Sequence, residues 1–279
     1  MRFGISTHLY HDHRLERGHL EQVAAAGFQS IELFALRSHF DYGDVAAIES
    51  LAGWLRETGL TLGSVHAPIT DRMAGGRWSP AFSTGSTDQA RRQAAVREAE
   101  AALAIARHIP YDVLVVHLGT PASKGSAADN NRGAALRSAE EICRAAEPLG
   151  VRVALEVIPN EISATGALVT MLERDLDAPR AGICMDFGHA HLAGDVADGV
   201  ELAAEHLIAT HVHDNHGKDD EHLVPYLGSI HWETVLVTMQ KIGYDGTWLM
   251  ELADGGSAAA VLEGARRARE RFERTLTHA

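Results

Sequence analysis

The chain has 279 residues, 46% of them apolar and 23% charged, and a formal net charge of -13. This is an ordinary globular composition with enough chain for a large core, and the acidic balance, with no Lys/Arg cluster against it, argues against nucleic acid as a partner. No apolar run is long enough to span a bilayer, the opening "MRFGISTHLY" lacks the regions of a signal peptide, and the two cysteines, Cys143 and Cys184, are no disulfide framework, so the cytoplasm is the expected compartment.

Along the chain, short β-branched runs alternate with longer Ala/Leu/Glu/Arg segments of helical period. Strands are expected at 3–6, 30–34, 61–66, 113–117, 151–156, 181–186, 208–211 and 247–251. Helical patterns lie between them at 20–27, 45–59, 88–109, 132–150, 163–175, 198–206 and 232–243, and a last one at 258–276 follows the eighth strand. Glycines 27, 59, 150 and 243 stop four of these helices. Eight strands, each followed by a helix, predict a parallel α/β protein, and the length suits one single-domain (β/α)8 barrel over residues 1–279. The rival, an open doubly wound sheet, would often carry a Gly-rich phosphate turn after its first strand; here that strand runs into "STHLYHDHRLERGH". Two long irregular segments, 67–87 (with Gly75, Gly76, Pro80 and Gly85) and 214–232, are expected to cover the mouth of the barrel.

The strand ends carry the chemistry. Six successive strands finish in His66, His117, Glu156, Asp186, His211 and Glu251. Asp, Glu and His are about a fifth of the chain, so six such endings by chance has a probability on the order of one in ten thousand before allowing for freedom in placing the ends. In a barrel these ends converge at the C-terminal mouth, where catalysis takes place. Mixed imidazole and carboxylate ligands suit zinc, manganese or cobalt better than calcium. His189, Asp220 and His222 join from the loops. Other histidines have blander readings. His213 is taken to lie out of phase with His211 and to face away from the mouth, while His8, His11 and His13 read as a surface cluster. Trp232 is expected in the core, and Trp78 as a lid against a sugar face.

The motifs "VHAP", "VVHLG", "LEVIPN", "MDFGHAHLAGD", "HVHDN…DDEHLVPYLGSIHW" and "GYDGTWLMEL" resemble the xylose isomerase-like TIM barrels, which include sugar isomerases, epimerases and endonuclease IV. The resemblance covers nearly the whole chain. In the epimerase branch it implies one metal, Mn2+ or Zn2+ with Co2+ or Mg2+ also admissible, held by Glu156, Asp186, His211 and Glu251. Glu156 and Glu251 would also be catalytic, exchanging substrate protons through a metal-stabilised enediolate. His189, and with it His66, His117, Lys218 and Trp78, would face a small carbohydrate or keto-sugar. In the endonuclease branch it implies a zinc-dependent phosphodiesterase at abasic DNA sites, with His66, His117, His189, Asp220 and His222 as additional ligands. A lyase or dehydratase of a keto-sugar or keto-inositol on the same site, and a binding protein on an inactivated barrel, are further readings; both glutamates being present weakens the last. Homo-oligomers occur in the superfamily. "DFGH" and "LGSIHW" look more like the sugar-acting branch, whereas the Arg that some ketose epimerases place six residues after the strand-seven His is here Gly217.

Overall fold

Short, near-continuous apolar runs belong to strands buried on both faces, and here such strands close on themselves. The computed structural model of the chain describes residues 1–74 and 77–277. Strands β1 (Arg2–Ser6), β2 (Ser30–Phe34), β3 (Thr61–His66), β4 (Val113–Val116), β5 (Arg152–Glu156), β6 (Ala181–Asp186), β7 (Leu207–Val212) and β8 (Thr247–Met250) pair in parallel in that order, and β8 returns to β1. The expected (β/α)8 barrel is therefore the observed fold. Helices α1 (Arg17–Ala25), α2 (Val45–Thr58), α3 (Gln89–Leu103), α4 (Arg132–Ala146), α5 (Thr165–Arg174), α6 (Phe187–Ala193), α7 (Val196–Ala203), α8 (Trp232–Lys241) and α9 (Ala258–Thr277) surround it. Side chains of Asp44, Asp88, Asn131 and Asp195 cap the N-termini of α2, α3, α4 and α7, satisfying backbone N–H groups that the helix leaves free.

The main core lies between strands and helices and contains Ile31, Leu33, Leu51, Leu114, Leu155, Met185, Trp232 and Met250. Inside the barrel a small apolar cluster of Val113, Val115, Ala154 and Cys184 forms a plug. The period of two then decides what stands above it. Two residues beyond Val115, Ala154 and Cys184 come His117, Glu156 and Asp186, which face the same interior at the mouth. Register slips twice, between Ile31 and Glu32 in the β2–β3 pair and between Ile183 and Cys184 in the β6–β7 pair. The first slip places Glu32 opposite Ser64 rather than Gly63.

The 67–87 segment carries a small hairpin, Met73–Ala74 against Arg77–Trp78, and Gly75 and Gly76 lie outside the described residues. The 214–232 segment is pinned by a bridge between Asp214 and Leu223. Among the described residues no helix is long and apolar enough to cross a membrane.

Candidate metal centre at the barrel mouth

Glu156, Asp186, His211 and Glu251 come from β5, β6, β7 and the residue after β8, and one ligand atom from each lies within 4.8 Å of the others. All four are buried, at 3% exposure or less. His211 Nδ1 is the hub, 3.2 Å from Glu156 Oε1, 3.5 Å from Glu251 Oε2 and 3.8 Å from Asp186 Oδ2. Two further sets flank this one. His66 Nε2 and His117 Nε2 meet Glu156 Oε2 at 3.1 and 2.9 Å. On the other side Asp220 meets His189 Nε2 at 3.1 Å and His222 Nε2 at 3.3 Å.

The ring orientations match those of metal ligands. His66 Nδ1 lies 2.8 Å from the Ala67 carbonyl, His189 Nδ1 3.1 Å from that of Val157, and His222 Nδ1 2.9 Å from that of Glu251. His211 Nε2 lies 3.2 Å from Glu32 Oε2. In His66, His211 and His222 one nitrogen donates to a fixed acceptor while the other is turned toward carboxylates, the way a hydrogen-bond partner orients an imidazole for a cation; His189 differs, its Nδ1 also lying 3.4 Å from Asp186 and 3.5 Å from Glu156. The donors present therefore fit a divalent metal of the zinc or manganese kind.

The electrostatics of the cluster follow from which charges meet in it. Burial alone would raise the Glu156 carboxyl, but the charges of His117 and His211 and hydrogen bonds from His117 and His189 hold it well below the carboxylate range. Asp186 is lowered against its burial by His189 and His213. Burial would lower His66 and His222, yet Glu156 lifts the first and Asp220 the second to about 9. His189 rises well above the ordinary histidine range, Asp186 and Asp220 outweighing its burial. His117 is lowered, by burial foremost, although it shares the Glu156 oxygen with His66. A second positive ring 5.0 Å from the first is disfavoured. These rings and carboxylates thus favour shared positive charge at the place where a divalent cation would supply it.

Two sequence expectations need correction. His213 does not face away: it stands two residues after His211, so the period of two gives both the same face. It is fully buried, and its Nε2 reaches Asp186 Oδ1 at 2.9 Å and Asp220 Oδ1 at 3.9 Å. Its Nδ1 is buried without a hydrogen-bond partner. His8 and His11 are not a surface pair. His213, His222, His8, His11 and Trp78 form one column of stacked rings, with centroid spacings of 4.0, 4.8, 4.6 and 5.0 Å. His13 alone of the three first-loop histidines is exposed, beside Asp12.

Glu32, which sequence reasoning missed, is fully buried in the middle of β2 and touches the site through His211. Its signal is a carboxylate inside the apolar strand "SIELF", a burial tolerated only with partners. Trp78 is 43% exposed at the outer end of the ring column. Lys218 is exposed in the 214–232 segment and has no ion pair among the described residues. Gly217 has φ +73 with the His191 ring 3.5 Å from where a Cβ would stand, so an arginine there would be strained. Trp232 is buried as expected, and its Nε1 donates to Asp214.

A closed parallel barrel whose C-terminal mouth gathers imidazoles and carboxylates is a TIM barrel with a candidate metal centre where such folds carry their sites. Residues 20–274 match the family described as xylose isomerase-like TIM barrel, and the chain belongs to that family. The uncharacterized protein MJ1311 of Methanocaldococcus jannaschii is 30% identical over 90% of this chain and 83% of its own length. Among solved structures, a D-tagatose 3-epimerase-like protein superposes with a TM-score of 0.80 at 26% identity, covering 99% of this chain and 97% of that one. The IOLI protein with a bound zinc atom superposes with a TM-score of 0.77 over 98% of both chains, and at 16% identity it shares the fold.

Proposed function

We propose that the protein is a divalent-metal-dependent isomerase or epimerase of a small carbohydrate or keto-sugar. The observation that carries this reading is the placement of Glu156 and Glu251. They leave β5 and β8, well apart around the barrel, yet both reach His211 Nδ1, at 3.2 and 3.5 Å. Two carboxylates that converge from different sides on one centre can remove a proton from one face of a carbon and return it to the other. The likeness to a D-tagatose 3-epimerase-like protein supports the same class.

The metal centre comprises Glu156, Asp186, His211 and Glu251, with Mn2+ or Zn2+ as its ion and Co2+ or Mg2+ as substitutes. When bound, the ion supplies the positive charge that stabilises an enediolate. The remaining roles belong to side chains. Glu156 and Glu251 exchange the proton of the carbon beside the carbonyl. His189, fixed by Asp220 and the Val157 carbonyl, holds a substrate oxygen, and His66 and His117 hold others. Trp78 closes over the sugar, and Lys218 approaches from its loop.

A second reading has its own observation. His66, His117 and Glu156 form one more donor set, and His189, His213, Asp220 and His222 another. Three adjoining sets would also suit a multinuclear phosphodiesterase, as in the endonuclease branch. The net charge of -13 opposes a DNA substrate. A keto-sugar or keto-inositol lyase would use the same two glutamates.

Metal analysis of the purified protein, a keto-sugar panel in heavy water and an abasic-site duplex separate these readings. The proposal expects bound divalent metal, deuterium entering the substrate carbon next to the carbonyl, and an intact duplex. Cleavage of the duplex, lost in Glu251→Gln, would establish the second reading. Turnover with water expelled would establish the lyase.

A further inference from the structure

Glu32 is a buried carboxylate with no place in the proposed chemistry. It belongs to none of the donor groups that converge within 4.8 Å among the described residues. It lines a cavity of about 80 Å3 on the floor side of the site, together with Arg2, Ser64, Arg152 and Tyr244. Yet a buried charge is retained only where it is well partnered, and Glu32 is: Ser6 Oγ donates to its Oε1 at 3.1 Å, and Ser64 Oγ to its Oε2 at 2.8 Å. These bonds fix the carboxylate with Oε2 3.2 Å from His211 Nε2.

We infer that Glu32 is a positioning residue, which holds the proton of His211 on Nε2 and so turns the lone pair of Nδ1 toward Glu156, Asp186 and Glu251. The two ring nitrogens compete for one proton once the ring is neutral, and the hydrogen bond made by one decides what the other offers a cation. A carboxylate partner also makes the ring more basic and a stronger ligand. The bulge opposite Gly63 is part of the device, because it places Ser64 rather than Gly63 against Glu32.

The inference rests on the metal-centre reading above, and Glu32→Gln tests it cleanly. The amide is nearly isosteric; its oxygen can still accept from His211 and Ser64 while its nitrogen faces Ser6, so the fold is kept and the charge is lost. Chelator-treated wild type and Glu32→Gln are titrated with Zn2+ in a calorimeter. The expected result is 10- to 100-fold weaker binding in the variant, the usual cost of losing the partner that orients a ligand, at unchanged stoichiometry, with circular dichroism showing the metal-free variant folded. In 15N–1H NMR of the metal-free wild type, a slowly exchanging downfield Nε2–H signal, assigned by its loss in His211→Gln, should move upfield in Glu32→Gln. Equal zinc affinity in the two proteins overturns the inference and leaves the metal centre standing. A wild type that takes up no zinc ends the metal-centre reading itself, and the inference with it. Should Glu32→Gln not fold, the spectrum of the zinc-bound wild type decides, since a ligating ring keeps one proton: absence of a protected Nε2–H on His211 overturns the inference, and its presence upholds it.

Discussion

Replacing Glu156 or Glu251 by Gln keeps the shape of the side chain and removes its basicity. Each change should lower turnover by roughly 10²–10⁴, the usual contribution of a positioned acid or base. Metal content has to be measured in both variants; full occupancy with near-normal turnover would reduce that glutamate to a ligand. Gly188 offers a test that needs no substrate. A Cβ there would stand 1.9 Å from His213 Cε1, so Gly188→Ala must push the imidazole off Asp186. We expect a loss of about 1–3 kcal/mol from overpacking, read by urea denaturation; an unperturbed variant would show that His213 is free to move. Among these residues, the six at the ends of the third to eighth expected strands could be read directly, because an apolar run that stops in Asp, Glu or His is conspicuous. Glu32 could not, since it lies mid-strand, one layer below the ends, where a charge looks like a local exception until its partners are known. His213 was misplaced by a count along the strand: two residues on is the same face, not the other. The ring column from His213 to Trp78 unites segments far apart in sequence, and only closure of the barrel brings His222, in the segment after β7, onto His8 of the first loop.

At the scale of elements, the strands and long helices could be read because periodicity accumulates over many residues. It fails for short pieces. Helix α6 spans Phe187–Ala193, too few residues to establish a period, yet it carries His189 and is started by Asp186 Oδ1, which accepts from His189 N at 2.7 Å. The hairpin strands of the 67–87 segment have two residues each and leave no pattern. The 214–232 segment is irregular but not loosely held. Asp214 Oδ1 accepts from the backbone N–H groups of Asn215 and Ile230, and Oδ2 from Tyr226 N and Trp232 Nε1. One buried carboxylate thus fixes the segment that brings Asp220 and His222 to the site. Asp214→Ala orphans four donors at once and should cost about 2–5 kcal/mol. Asp214→Asn retains one acceptor oxygen and should lose less. Thermal denaturation of both variants checks the order; equal Tm values for Ala and wild type would mean that the segment is held by other contacts.

At the scale of the whole molecule, the barrel was legible from element order, chain length and the missing Gly-rich turn after the first strand, whereas the energetic state of its mouth was not, because it depends on which charges meet. Acidic and imidazole side chains from six strands are packed into a space that a cation would neutralise, and in its absence protons do so. This fixes the pH dependence of metal-free stability. His66 and His222 are raised to about 9 in the folded chain, against about 6.5 when unfolded. Their contribution is therefore complete below about pH 6.5 and is lost as pH rises through about 9, at up to about 3 kcal/mol each. His39 has the opposite sign. Burial lowers it to about 4, so its contribution is present above about pH 6.5 and is lost as pH falls toward about 4. Chelator-treated protein should accordingly be most stable near pH 6.5 and clearly weaker at pH 9 in urea denaturation. Bound zinc should reduce the alkaline fall, because its charge balances the Glu156, Asp186 and Glu251 carboxylates that help to hold the protons on His66 and His222. For the same reason zinc affinity should rise between pH 6.5 and 9. Metal-free protein equally stable at pH 6.5 and 9 would mean that the mouth is not held together by these shared protons, and would remove the electrostatic ground for placing a cation among Glu156, Asp186, His211 and Glu251.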